Sequence, residues 1–269
     1  SYFSTIAASA ALRVVAEAQA AHVARQIAGR PEAALPILSA VSPFKAGGRG
    51  GPANYTDIPA GNIMLRHVAD LYVFPNTIAA LRLTGAELAE WLEISAGLYH
   101  HIPPGARDAA LIDPDFPGYN HDRILGLTYE IDLGQPARHD RHGLLRNPAA
   151  RRVADLRHNG QPVDPDQEFL LATNSYRAAG CGGYVQARPD RQVDVGRESI
   201  RDVLIRHLAN GVPEDCPLSP CLRFRPMPGT SVIFTSSPEA ARHLDAIAHL
   251  RPEPLGLDPA GFARFRLHP

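Results

Sequence analysis

Lysine is nearly missing from this 269-residue chain: Lys45 is the only one among its 27 basic residues. A coding bias toward arginine accounts for that, and it makes Lys45 a singular position. Net charge is missing too, since 27 basic against 28 acidic residues leave −1. No global field then draws nucleic-acid phosphates or an anionic membrane, so duplex binding is not expected. No run of 18 apolar residues occurs, and stretches such as 78–83 suffice only for a strand or half a helix. No membrane span is expected. The three cysteines, Cys181, Cys216 and Cys221, match neither a disulfide framework nor a zinc pattern. Four residues separate Cys216 from Cys221, which puts a bridge within reach in an oxidising compartment. The chain starts at Ser1 with no charged and apolar leader, and is expected to be a piece of something longer whose export signal is not visible.

Chemical signatures are also sparse. There is no G-x-S-x-G elbow, no P-loop and no G-x-G-x-x-G after a strand, which removes the commonest marks of acyl transfer and of triphosphate or dinucleotide chemistry. Twelve histidines are present, yet His100-His101 and His139-Asp140-Arg141-His142 fit no ligand spacing and read as solvated loop residues; no metal site is expected.

What is there is a pattern of alternating elements. Leu12, Val14, Val15, Ala18, Val23 and Ile27 share one face of a helix over 11–29, ended by Pro31 and Pro36. A strand over 37–41 runs into a Gly- and Pro-rich loop. A second strand covers 78–83, and Thr84 with Glu87 forms a capping box opening a helix with Leu88, Trp91 and Leu92. The span 101–120, with Pro103, Pro104, Pro114 and Pro117, reads as a long irregular loop, which in a compact domain is more often functional than idle. Strict alternation marks a strand over 127–133, and Asn159-Gly160 joins 153–157 to 161–163 as a hairpin. A strand over 169–173, a Gly-rich loop over 180–183, a helix over 197–209, a strand over 231–235 and a helix opened by Ser237-Pro238 complete the chain. Hairpins among irregularly alternating helices and strands predict an α+β fold, a mixed sheet with flanking helices.

Two loops place an aromatic beside turn-forming residues, 71–77 around Phe74 and 173–180 around Tyr176. Such a ring is either a lid on the core or a stacking face for a planar base. The loop over 180–183 is either an anion cradle of backbone N–H groups or a plain turn.

At these residues the chain resembles the C-terminal domain of bacterial 2',3'-cyclic-nucleotide 2'-phosphodiesterase/3'-nucleotidases, a branch of the 5'-nucleotidase superfamily. The blocks carrying the likeness are colinear and cover most of the chain: Leu35-Pro36-Ile37-Leu38-Ser39-Ala40, Ser42-Pro43-Phe44-Lys45, Tyr72-Val73-Phe74-Pro75-Asn76-Thr77, Tyr119-Asn120, Gln135-Pro136-Ala137-Arg138 and Thr173-Asn174-Ser175-Tyr176-Arg177-Ala178. The resemblance implies a 5'-nucleotidase C-terminal-domain-like fold at 31–269, preceded over 1–30 by a helix leading from a metallophosphoesterase domain outside this chain. It also implies that Phe74 and Tyr176 sandwich a nucleobase. Stacking contributes about 1–3 kcal/mol per base and tolerates different bases, as a broad-specificity nucleotidase requires. Asn120, beside Tyr119, and Asn174 either read base or ribose or satisfy turn backbone. Ser42, Lys45 and Arg49 either line the mouth of the site for a phosphate or are loop residues in solvent.

The implied ligands are nucleosides, 3'-nucleotides and 2',3'-cyclic nucleotides, and the implied location is periplasmic or otherwise exported. Two divalent metals would belong to the other domain, because no G-D-x-x-D or G-N-H-[ED] motif occurs here and the D-x-H match, Asp140-Arg141-His142, stands without them in a loop; this chain has no cofactor of its own and is expected to be catalytically silent alone. Related readings are the same domain of a 5'-nucleotidase or UDP-sugar hydrolase, disfavoured because those carry an N-G-G-x-R type block where this chain has Ser42-Pro43-Phe44-Lys45, and a non-catalytic binding or adhesion module. Departures from the family pattern are Cys181 for glycine, His139 for tyrosine and His121 for phenylalanine. Of these Cys181 matters most, since a positive φ there would be strained.

Overall fold

The computed structural model describes residues 1–211 and 221–269, so Cys216, and with it the expected Cys216–Cys221 bridge, lies outside the described residues. The apolar face read at the start of the sequence is α1 (Ala10–Gln26), which buries Leu12, Val15, Ala16, Ala18 and Val23. Gln19 lies on the same face and is satisfied there, donating to Ser39 Oγ at 3.0 Å and to the Ala40 carbonyl at 3.1 Å. Next come β1 (Ile37–Val41), α2 (Leu65–Leu71) and β2 (Ile78–Thr84). The capping box at the end of β2 forms as expected: Glu87 N donates to Thr84 Oγ1 and Thr84 N to Glu87 Oε2, and α3 (Gly85–Ser95) follows.

The long irregular span contains only β3 (Ala109–Ala110) and a single turn at Gly118–Asn120. Beyond it lie β4 (Arg123–Leu125), β5 (Leu127–Ile131), β6 (Val153–His158), β7 (Gln161–Pro162), β8 (Glu168–Asn174) and α4 (Ser175–Ala178). Asn159 and Gly160, at φ +49° and +78°, make the expected hairpin turn between β6 and β7. The chain continues through β9 (Gln192–Val193), α5 (Ile200–Ala209), β10 (Leu222–Phe224), β11 (Val232–Ser236), β12 (Glu253–Leu257) and β13 (Ala263–Leu267).

The central sheet has the order β4-β1-β8-β2-β9, with β1 parallel to β8 and β2 antiparallel to it, which is the mixed sheet that the alternation implied. Its middle strand β8 is apolar on both sides. Phe169 and Leu171 pack into a core with Leu88, Trp91 and Leu92 of α3. Leu170 and Ala172 face the other way, toward Val15 and Val23 of α1 and Val203 and Leu204 of α5. Two four-stranded sheets, β10-β5-β6-β7 and β12-β13-β11-β3, complete the fold. The central sheet positions the site, because β1, β2 and β8 all end near the loops that carry the aromatics.

Three expectations change. The helix expected from Ser237 is a run of 3₁₀ turns over Pro238–Leu250 with non-helical φ/ψ at His243 and Ile247, although its buried residues Ala240, Ile247 and Leu250 keep the spacing of one helical face. The helix expected from 197 starts at Ile200. Strands β12 and β13 were not foreseen; Pro254 and Gly256 fall in β12, which lies at a sheet edge with a register shift between Pro254 and Leu257.

Candidate functional site

The site starts where β8 runs out. Asn174 is the last residue of that strand, and its side-chain Oδ1 accepts from the backbone N of Arg177 at 3.0 Å, which caps the one-turn helix α4. A helical turn sends consecutive side chains about 100° apart. Tyr176 is accordingly 40% exposed while Arg177, the next residue, is 2% exposed.

Inside, the Arg177 guanidinium is fully engaged. Nε donates to Asp122 Oδ2 at 2.8 Å and Nη2 to Asp122 Oδ1 at 3.0 Å. Nη1 donates to Asn120 Oδ1 at 3.1 Å and to the Cys181 carbonyl at 3.2 Å, and Nη2 to the Tyr119 carbonyl at 2.6 Å. The guanidinium also lies 4.4 Å from the centre of the Tyr184 ring. Burial works against its charge, but Asp122 and the Tyr184 ring outweigh it, so its pKa stands above the ordinary arginine value. Asp122 accepts further bonds from Trp91 Nε1 at 2.9 Å and from Ser42 Oγ. One buried ion pair therefore ties the end of β1, helix α3, the Tyr119-Asn120 turn and the loop after α4 into a single floor.

Above that floor lies an open cleft of about 440 Å³ lined by Arg49, Tyr119, Asn120, Arg141, Tyr176 and Gly182, among others. Phe74, 40% exposed, adjoins it through Tyr119, the two rings meeting edge to face with centroids 6.3 Å apart. Phe44 braces Phe74 from behind at 5.1 Å. Partial burial raises the Tyr176 phenol above its usual pKa, so it presents a neutral ring near neutral pH. Arg49 and Arg141 flank the cleft and share Asp115, at 3.9 and 3.0 Å.

Of the residues singled out in the sequence, the structure brings Tyr119, Asn120, Tyr176 and Arg49 to one cleft, with Phe74 at its edge. Ser42 is instead buried beneath it on Asp122. The Lys45 ammonium pairs with Asp70, and Lys45 and Asn174 line a separate small cavity under Phe44 and Tyr72. Asn174 Oδ1 is committed to the α4 cap, which is the turn-backbone reading of that residue. The sequence analysis missed Arg177, Asp122 and Arg141. The signal for the first two was two charged residues, each beside a residue already singled out and next to an apolar strand.

The Gly-rich loop resolves toward a turn. Gly180 N and Cys181 N donate back to the carbonyls of Arg177 and Tyr176. Positive φ falls on Gly180, Gly182 and Gly183 and not on Cys181, so the cysteine carries none of the strain expected there. Gly182 has a second reason to be glycine, since a Cβ there would stand 2.5 Å from Arg177 Nη1 and 2.6 Å from Asn120 Oδ1. Among the described residues no three His, Cys, Asp or Glu converge to hold a metal ion. No helix among the described residues is long and apolar enough to cross a membrane.

Residues 7–188 match the family model described as 5'-nucleotidase, C-terminal domain. A 2',3'-cyclic-nucleotide 2'-phosphodiesterase/3'-nucleotidase of Haemophilus influenzae is 38% identical over 99% of this chain, which corresponds to 42% of that protein. One of the same description from Salmonella typhimurium is 44% identical over 67% of the chain and 28% of the relative. The chain thus spans less than half the length of these curated relatives. Among solved structures, a 5'-nucleotidase precursor of Thermus thermophilus superposes with a TM-score of 0.59 at 16% identity, covering 82% of this chain and 36% of that one, and shares the fold.

Proposed function

Because the chain belongs to the 5'-nucleotidase C-terminal domain family, we propose that it is the substrate-binding portion of an exported cyclic-nucleotide phosphodiesterase/3'-nucleotidase, holding the nucleobase between Phe74 and Tyr176. The observation that carries this reading is a set of three large rings, each about 40% exposed: Tyr119 and Tyr176 line one cleft above a rigid ionic floor, and Phe74 packs on Tyr119 beside it. Exposing that much aromatic surface on a fixed frame costs stability unless something planar covers it.

In this reading the chain's work is to bind and orient. The rings take the base without asking for one hydrogen-bond pattern, and Arg49 and Arg141 stand at the rim where a phosphate would point outward. The metallophosphoesterase domain, outside this chain, would bring two divalent metals and the hydrolytic chemistry. Nucleosides, 3'-nucleotides and 2',3'-cyclic nucleotides are then its ligands, and the isolated chain binds without turning over.

Ligand-observed NMR of the chain with adenosine and with 3'-AMP tests this. Saturation transfer to the base protons that is lost in Tyr176→Ala supports the stacking site. No transfer to a folded wild-type sample overturns it and favours a binding module that does not recognise nucleotides.

A further inference from the structure

We infer that Arg177 fixes the side-chain amide of Asn120 so that the cleft offers the nucleobase a hydrogen-bond donor, and that the bound base must therefore place an acceptor atom there. The inference rests on the stacking reading above and adds an atom-level selectivity to it.

Arginine has five N–H donors and no acceptor. The Asn120 atom facing Arg177 Nη1 at 3.1 Å is therefore the carbonyl Oδ1, and the amide cannot be turned over without setting donor against donor. The rest of Asn120 is equally committed. Its backbone N donates to the Pro117 carbonyl at 2.8 Å, and its carbonyl accepts from the Tyr184 hydroxyl at 2.6 Å. Gly182 closes over the Nη1–Oδ1 bond so tightly that a Cβ would not fit, which leaves no room for the amide to swing away.

One polar group is left. Asn120 is only 6% exposed, yet among the described residues its Nδ2 has no hydrogen-bond partner, and it is not sealed from solvent. It opens on the cleft that Tyr119 and Tyr176 also line. A base seated on those rings would strip water from this N–H. If the base presents an unprotonated ring nitrogen or a carbonyl oxygen there, the lost water is replaced; if it presents a C–H or N–H, a donor is left unpaired. Stacking is indifferent to this distinction, so Asn120 adds an edge selectivity that the rings do not supply, with Arg177 as the residue that positions it. Its amide is held in place, whereas the rim side chains of Arg49 and Arg141 are 80% and 46% exposed.

The test uses adenosine and its 1-deaza, 3-deaza and 7-deaza analogues, in which one ring nitrogen at a time becomes C–H while the stacking face is kept. Dissociation constants are measured by NMR titration on the wild-type chain and on Asn120→Asp, which retains an acceptor for Arg177 but replaces the Nδ2 donor by an oxygen. We expect one analogue to bind the wild type about three- to tenfold more weakly than adenosine, and that difference to disappear in Asn120→Asp. The analogue series on the wild type stands by itself if the variant fails to fold. Adenosine binding that depends on Tyr176 but treats all three analogues alike, or a loss that follows 2'-deoxyadenosine in their place, overturns the inference while leaving the stacking reading intact. Absence of adenosine binding overturns both.

Discussion

Asp122 and Arg177 meet through two parallel hydrogen bonds of 2.8 and 3.0 Å while each side chain is 2% exposed. The pair joins a turn at the end of the long irregular span to a turn at the end of the central strand, 55 residues apart in sequence. Neither turn has enough apolar surface of its own to fix its position, and the ion pair supplies the missing constraint.

Removing one partner of that pair strands the other in the interior. Arg177→Met is expected to cost about 3–5 kcal/mol, and Asp122→Leu a similar amount. The double variant should cost less than the sum of the two, because it leaves no uncompensated charge. Urea denaturation of the four proteins in a double-mutant cycle measures this.

Glycine at 182 answers to space as well as to φ. Gly182→Ala, with a neighbour at 2.5 Å, is expected to be clearly more destabilising than Gly196→Ala, where φ is similarly positive but nothing lies within 4 Å. The second change should cost about 1–2 kcal/mol from the left-handed conformation alone. The difference between their thermal midpoints isolates the crowding over the Arg177–Asn120 bond.

Acid should weaken the fold through His121. Burial, then the nearby Arg123 charge, lowers its pKa from 6.5 to about 4. Its Nδ1 donates to the Ser95 carbonyl at 3.0 Å, a bond that favours the charged ring but does not outweigh burial. The unfolded chain takes up the proton near pH 6.5 and the folded chain only near 4, so stability is whole above about pH 6.5 and falls as pH drops toward 4, by roughly 3 kcal/mol in all. His121→Phe should flatten that slope. Denaturation midpoints at pH 7 and pH 4.5 for both proteins check it.

Stacking by Phe74 is expected to show as a side-chain effect on affinity with little effect on stability. Phe74→Ala should weaken adenosine binding by about 1–3 kcal/mol, and Phe74→Tyr should leave it nearly unchanged. Since Phe74 is 40% exposed, the thermal midpoint should move far less than for Arg177→Met. Calorimetric titration alongside thermal melts separates the two effects.

The central architecture was readable wherever periodicity and caps agree, as at α1, β2, α3 and the Asn159-Gly160 turn, since each of these is decided by residues close in sequence. Strand β12 was hidden because its Pro254 and Gly256 are tolerated only by an edge position that tertiary structure provides. At the site, Phe74 and Tyr176 stood out as rings beside turn-forming residues, but whether they cap the core or face solvent was open, because such a position fits either. Arg177 did not stand out, because a lone arginine looks the same whether it is solvated or buried, and its burial depends on a carboxylate 55 residues away. Ser42 and Lys45 read as rim residues for the converse reason: the partners that draw them inward, Asp122 and Asp70, lie elsewhere in the chain.

The single turn α4 has a consequence for how this chain can vary. Tyr176 outside and Arg177 inside are set by one step of about 100° along that turn. Adding or deleting one residue between Asn174 and Arg177 would rotate the ring toward the interior and the guanidinium toward solvent, undoing ligand surface and scaffold at one stroke. Diversification here is confined to exchanging side chains at fixed length.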